Sequence, residues 1–151
     1  MEKERLKETV SALMPNAEVV TGLQYLEVLV SPENYHNAAL QLKQNSELAF
    51  DYLFDLAGVD LPDCFMIVCH LESTVHRHEI VVKVKTAGRE DPRVDTVSDV
   101  WTASEFHERE VYDLMGVRFT NHPDPRRLFL DDGWGFPLRK DYRDDINIIE
   151  R

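Results

Sequence analysis

The chain has few cysteines and no excess of positive charge. Its two cysteines, Cys64 and Cys69, form neither a disulfide framework nor a C-x-x-C motif. On one extended strand they would lie roughly 16 Å apart, at about 3.3 Å per residue, which is too far for a disulfide bond. Two thiols also fall short of the four cysteine ligands that an iron–sulfur cluster usually takes.

Positive charge is in the minority: 17 lysines and arginines face 28 aspartates and glutamates, a formal net charge of −11. This balance argues against a nucleic-acid-binding domain and against a basic helix lying on a membrane. Long apolar runs are also lacking, since the longest, residues 64–69, has only the length of a strand. The first residues are charged where a signal peptide would be apolar, so we expect a cytoplasmic protein.

Composition and patterning predict one folded domain over residues 1–116. The 151 residues are 43% hydrophobic and 30% charged, as in globular proteins. Apolar spacing predicts a helix over residues 2–14, and β-branched residues predict strands over residues 18–20 and 25–30 joined by a tight turn. Ser31 and Pro32 mark the start of a further helix. Its buried face would consist of Tyr35, Ala38, Ala39 and Leu42.

The middle of the chain continues this alternation. Helical spacing predicts a helix over residues 46–57 that ends at Gly58. Residues 65–71 are apolar on both faces, which indicates a central strand, and residues 79–85 form a half-exposed one. A loop over residues 87–97 precedes a helix that begins beyond Ser98 and ends at Gly116. We therefore predict an α+β fold, a two-layer sandwich of helices on a mixed or antiparallel sheet.

Residues 117–151 differ from the rest because they follow no period of 2 or 3.6. They contain three prolines and two glycines, yet they are rich in aromatic residues, unlike a disordered tail. Residues 1–116 hold 10 basic and 21 acidic groups, whereas residues 117–143 hold 6 basic and 4 acidic groups. Scattered aromatic and arginine residues are typical of interfaces, so we expect an extended C-terminal docking segment. The side chains expected to dock are Trp134, Phe136, Arg139 and Tyr142.

No catalytic motif is complete: the chain has no G-x-G-x-x-G, no P-loop and no G-x-S-x-G sequence. On the helix over residues 103–115, helical spacing places His107 and Glu110 inside an apolar arc and turns Glu108 and Tyr112 away from it. A buried Glu110 allows two interpretations. It is a catalytic acid acting with His107 and His122, or it forms a buried ion pair with a downstream arginine, which we favour.

Four stretches of the sequence closely resemble the signature of the C subunit of NADH:quinone oxidoreductase, respiratory complex I. They are residues 108–117, 122–124, 126–128 and 135–142, with order and spacing intact. The family includes related subunits of membrane-bound [NiFe] hydrogenases and formate hydrogenlyase. The resemblance singles out the following residues as family signature or partner interface: Glu108, Arg109, Glu110, Asp113, Gly116, His122, Pro123, Arg126, Arg127, Trp134, Phe136, Pro137, Leu138, Arg139, Lys140, Asp141 and Tyr142.

This resemblance implies a structural subunit of the peripheral arm that binds no metal or cofactor and has no catalytic residue of its own. FMN and iron–sulfur clusters would belong to the parent complex. The implied partners are a quinone-site subunit similar to a hydrogenase large subunit and a small subunit that holds an iron–sulfur cluster. The implied location is the cytoplasmic side of the cell membrane, reached through these partners. A subunit of a membrane-bound hydrogenase or a free-standing enzyme remains the alternative.

Overall fold

The structure, a computed structural model, describes residues 2–131 and 133–143. The last part of the predicted docking segment, residues 144–151, lies outside this range. The helices are α1 (Lys3–Leu13), α2 (Tyr35–Gln44) and α3 (Ser104–Met115), and a single 3-10 turn (Pro32–Asn34) precedes α2. The strands are β1 (Glu18–Thr21), β2 (Leu26–Val30), β3 (Tyr52–Asp60), β4 (Phe65–Glu72), β5 (Glu79–Lys85), β6 (Arg93–Asp95) and β7 (Arg118–Thr120).

Five strands form a mixed sheet in the order β1-β2-β5-β4-β3. Strand β2 pairs with β5 in parallel, and the other three pairings are antiparallel. Side chains of all three helices join one face of this sheet in a single hydrophobic core. The predicted α+β fold with a mixed sheet is confirmed. None of the described helices is long and apolar enough to cross a membrane.

Several elements form where the apolar pattern predicts them. Strand β4 alternates buried and half-buried residues and pairs with β5 and β3, which confirms its interior position. Helix α1 buries Leu6 and Val10, and α2 buries the four predicted side chains. In both helices the buried residues recur at intervals of three or four, as one face of an α-helix requires.

The helix predicted over residues 46–57 is wrong, because residues 52–60 form strand β3. A shift of register between Leu53 and Asp55 inserts an extra residue into β3. This bulge lets Leu53 and Leu56, three positions apart, both face the core, which imitates helical spacing. Gly58 lies within the strand, where an added Cβ would come within 2.7 Å of the Met115 sulfur. Gly58 therefore permits α3 to approach β3 closely, and it does not end a helix.

The prediction of a loop over residues 87–97 is wrong in part, because residues 93–95 form strand β6. Strand β6 within it pairs in parallel with β7, and Val94 and Phe119 lie buried in this ladder. The following helix begins at Ser104, and residues 97–103 form turns instead. Gly116 ends α3 in the left-handed conformation, at φ 79°, as predicted. Strand β7 thus joins the first residues of the predicted docking segment to the folded body.

Leucine to alanine replacement tests the core. Leu42→Ala is expected to lower the free energy of unfolding by about 2–5 kcal/mol, because it leaves a cavity beneath α2. The measurement is urea unfolding followed by circular dichroism. Leu23→Ala, at a fully exposed position in the β1–β2 turn, is the matched control and should change stability by less than about 0.5 kcal/mol. Equal effects of both variants would contradict the described packing.

Candidate functional site

The candidate site is the C-terminal segment, which we define as residues 121–131 and 133–143. These residues form no helix or strand, so their backbone groups need other partners. The segment returns to α3 and to the end of β3, where Asp113, the C-terminal end of α3 and Asp60 form three of its attachments. Each attachment joins a polar or charged side chain to backbone groups of another part of the chain.

The first attachment is the buried carboxylate of Asp113 on α3. Arg127 donates to its Oδ1 from Nε at 2.7 Å, and the amides of Phe129 and Leu130 donate to Oδ2 at 2.7 and 3.2 Å. Burial disfavours the charged form, but these hydrogen bonds outweigh it and lower the pKa of Asp113 below its ordinary value. The carboxylate therefore remains charged and fixes three residues of the segment.

Arg127 extends this attachment through its other nitrogens. Its Nη2 donates to the Asp113 carbonyl at 2.7 Å and to the carbonyl of Gly135, and its Nη1 donates to the Asp131 carbonyl at 3.3 Å. The guanidinium also lies 5.2 Å from the centre of the Phe136 ring. A single buried side chain thereby ties helix α3 to both halves of the C-terminal segment. Lysine has no planar set of donors that would replace it.

The second attachment covers the C-terminal end of α3. The Leu138 amide donates to the Leu114 carbonyl at 2.9 Å, and Arg139 Nε donates to the Met115 carbonyl at 2.6 Å. These bonds satisfy carbonyls that the end of a helix leaves without partners. A Cβ at Gly116 would lie 2.6 Å from Arg139 Nη2 and 2.7 Å from the Phe136 ring. Glycine is therefore needed at this position for its conformation and for its small size.

The third attachment joins the segment to the end of β3. The buried Asp60 accepts hydrogen bonds from Arg89 and, at 2.8 Å, from the Lys140 amide. Burial works against the charged form, but these two donors hold the pKa of Asp60 below its ordinary value. Arg89 also lies 3.5 Å from Asp141. The segment is thus fastened to the body near both of its ends.

The expected burial of Glu110 is wrong: Glu110 is exposed and Glu108 is fully buried. Helix α3 turns Ser104, Glu108 and Val111 inward, while Phe106 is 59% exposed. The arc drawn from hydrophobicity failed because it assigned the apolar Phe106 to the core and the charged Glu108 to solvent. A carboxyl group can occupy the core when backbone amides and hydroxyls supply its hydrogen bonds.

Glu108 has such partners in the turn after β6. Thr96 Oγ1 donates to Oε1 at 2.5 Å, and the Val97 amide donates to Oε2 at 2.9 Å. Burial raises the pKa of Glu108 to about 7, although these two hydrogen bonds act in the opposite direction. His122 Nε2 lies 3.7 Å from Oε1. Since His122 Nδ1 accepts the Asp124 amide, Nε2 carries the proton and donates to the Glu105 carbonyl at 3.0 Å.

The three groups of the enzyme hypothesis lie in different surroundings. His107 Nδ1 is 3.9 Å from Asp55 on β3, His122 is beside Glu108, and Glu110 is exposed. The described residues contain no group of three or more His, Cys, Asp or Glu side chains that could hold a metal ion.

The remaining signature residues either form polar contacts or are grouped by their exposure. Arg109 donates to the carbonyls of Arg126 and Arg127 at 3.1 and 3.0 Å, and Arg126 forms a bidentate pair with Asp124. Phe136, Pro137, Arg139 and Tyr142 are half-buried, and the exposed members are Pro123, Trp134, Leu138, Lys140 and Asp141.

Apolar side chains of the segment also remain at the surface. Phe129 is 69% exposed, Trp134 47% and Leu138 38%. Sequence reasoning did not single out Phe129. The signal that could have found it is its place two residues after Arg127 of the signature, between Leu128 and Leu130.

Comparisons with known proteins agree with the resemblance in the sequence. The family model described as "Respiratory-chain NADH dehydrogenase, 30 Kd subunit" matches residues 28–145. The NADH-quinone oxidoreductase C subunit of Chlorobium phaeobacteroides is 37% identical over 145 residues, which cover 93% of this chain and 84% of that protein. The NADH-quinone oxidoreductase C/D subunit of Phocaeicola vulgatus is 47% identical over 120 residues, or 78% of this chain. The chain spans only 23% of that longer protein.

A solved structure shares the backbone fold. One chain of the membrane-bound sulfane sulfur reductase, an archaeal respiratory membrane complex, is 25% identical and has a TM-score of 0.80. The match covers 92% of this chain and 84% of that one. The same fold therefore occurs in one chain of a respiratory membrane complex.

Asp113→Asn tests the first attachment. Removing this buried charge leaves Arg127 without its ionic partner, so we expect the free energy of unfolding to fall by about 3–5 kcal/mol. Denaturant unfolding of the isolated chain measures it. Asp91→Asn removes an exposed carboxylate that pairs with Arg93 and should change the midpoint little. A midpoint for Asp113→Asn equal to that of the wild type would refute the attachment.

The buried carboxyl of Glu108 predicts a pH effect. Its pKa is about 7 when folded against an ordinary 4.5, so the folded state binds the proton more tightly. This stabilisation is complete below about pH 4.5 and is lost as the pH rises through 7. Relative to Glu108→Gln, the wild type should lose about 3 kcal/mol of stability across this range, at about 1.4 kcal/mol per pKa unit.

The measurement is the unfolding free energy of both proteins at a series of pH values. Glu110→Gln, an exposed carboxylate on the same helix, is the control and should follow the wild-type pH profile. A constant difference between wild type and Glu108→Gln would show that Glu108 does not titrate in this way.

Proposed function

Because the chain belongs to the family of the 30 kDa subunit of the respiratory-chain NADH dehydrogenase, we propose that it is a structural subunit of the peripheral arm of an NADH:quinone oxidoreductase. It has no catalytic residue of its own in this proposal. It braces the quinone-site subunit while electrons pass from NADH through FMN and iron–sulfur clusters to quinone. FMN and the clusters are held by other subunits.

The observation that carries this proposal is the combination of a fastened segment with exposed apolar side chains. Phe129, Trp134 and Leu138 are exposed although Asp113 and Asp60 hold the backbone around them on the body. A segment ordered before binding loses less conformational entropy when a partner covers it. Aromatic anchors supply much of the binding energy at interfaces. We propose that residues 117–143 form the docking segment and that β7, at its start, joins it to the body of residues 1–116.

The proposed partners are the hydrogenase-large-subunit-like quinone-site subunit and the iron–sulfur small subunit of the same complex. The C/D name of the Phocaeicola vulgatus protein supports a D-like neighbour, since this chain matches only 23% of its length. The chain would lie on the cytoplasmic side of the cell membrane and reach it through these partners.

A second candidate function is the equivalent subunit of a membrane-bound [NiFe] hydrogenase or a formate hydrogenlyase. The structural likeness to a chain of the sulfane sulfur reductase complex, with a TM-score of 0.80, favours it. The composition of the purified native complex discriminates between the two. An NADH-oxidising flavoprotein subunit would identify the first function, and a nickel-bearing large subunit would identify the second.

Leu138→Asp tests the docking segment. A charge at this exposed apolar position should weaken a dry interface, so we expect at least about tenfold lower recovery of the tagged chain with the membrane complex. NADH:quinone reductase activity of the membranes should fall in parallel. Circular dichroism of the isolated variant verifies that it folds.

Leu23→Asp, at a fully exposed leucine outside the segment, is the matched control and should assemble as the wild type does. Full assembly of Leu138→Asp would contradict docking through this segment. Failure of the wild-type chain to copurify with any membrane complex would contradict the structural role.

A further inference from the structure

A cleft between α3, β6 and β7 is lined by three arginines. Its volume is about 230 Å³, and we name it the arginine cleft. Arg93 lies on β6, Arg109 on α3 and Arg118 on β7. The other lining residues are Glu108, Tyr112, Phe119, Thr120, Asn121, His122 and Pro125. Arg93 and Arg118 take part in none of the roles proposed for the C-terminal segment.

Positive charge exceeds negative charge around the cleft mouth. Asp91 lies 2.9 Å from Arg93 and 3.9 Å from Arg118, and Asp124 lies 3.7 Å from Arg109 while also pairing with Arg126. Among the described residues, the three arginines of the cleft thus share the surface carboxylates of Asp91 and Asp124, and Arg126, outside the cleft, adds a fourth guanidinium beside Asp124. The side chains of Arg93 and Arg118 are more than half exposed. This local excess stands out in a protein of net charge −11.

The floor of the cleft is the carboxyl group of Glu108. It accepts hydrogen bonds from Thr96 and Val97 and lies in the fully buried part of the site. An incoming anion would therefore meet the guanidiniums at the mouth and not the floor. Arg118 is also held in place there, because its guanidinium lies 5.6 Å from the centre of the Tyr112 ring.

The size of the cleft limits its occupant. About 230 Å³ is below the roughly 300–1,000 Å³ of pockets that enclose cofactors and drug-sized ligands. It suits one or two side chains that project from another surface. Arginine and tyrosine are the residue types enriched where interfaces bind most strongly. Arginine also recognises carboxylates with two parallel hydrogen bonds.

We propose that the arginine cleft receives an acidic side chain, Asp or Glu, from a partner subunit. This inference rests on the proposed function, since it requires a partner. The contact would add a charged anchor beside the apolar anchors of the C-terminal segment. It would also orient the chain, because the arginines of the cleft attract an acidic side chain whereas the acidic excess of the body repels it.

Zero-length crosslinking in the native complex tests the cleft. Arg118→Lys keeps the charge and introduces an amine, which a carbodiimide joins to a touching carboxyl group as an amide while the reagent takes up the water. We expect mass spectrometry to find this amine linked to Asp or Glu of a partner subunit, besides links to Asp91. Arg77→Lys, an exposed position at the β4–β5 turn, is the matched control and should give no partner link.

A charge reversal provides the second measurement. Arg118→Glu should lower recovery with the complex by about tenfold or more, and Arg77→Glu should leave recovery unchanged. If Arg118→Lys remains in the complex but links only to Asp91, the cleft proposal is overturned while the structural role stands. If the wild-type chain joins no complex, both proposals fail.

Discussion

The carboxylate of Asp113 is fully buried in α3 and stays charged only because a guanidinium and two backbone amides surround it. All of these donors come from one stretch of the chain that has no secondary structure of its own. The buried charge and the irregular backbone therefore depend on each other. Without the segment, Asp113 would be an uncompensated buried charge, and without Asp113 the amides of Phe129 and Leu130 would lack their acceptor.

This dependence explains how an irregular segment holds exposed apolar side chains in fixed positions, as the proposed docking requires. Backbone groups and charged side chains of the segment bond to α3 and β3, whereas its apolar side chains Phe129, Trp134 and Leu138 remain exposed. The distribution of charge follows the same division. Residues 1–116 carry the acidic excess, whereas residues 117–143 and the arginine cleft carry more positive charge.

Much of the fold could be predicted because burial follows simple periods in α1, α2 and β4. The bulge in β3 defeated this reasoning, since an inserted residue gives a strand the spacing of a helix. The prediction placed Glu110 in the core, whereas the structure buries Glu108. Hydrophobicity alone could not predict this, because it contains no information on the hydrogen bonds from Thr96 and Val97 that allow a carboxyl group to be buried. The signature residues could be identified from their pattern, but their contacts depend on long-range pairings such as Asp60 with Lys140.

The C-terminal segment is held on the body before any partner binds. Amide hydrogen exchange of the isolated wild-type chain tests it most directly, read at Phe129 and Leu130, whose amides donate to Asp113. We expect both amides to exchange far more slowly than in an unstructured peptide. Exchange of both at the unstructured rate, with the amides of β4 and β5 still protected, would contradict it.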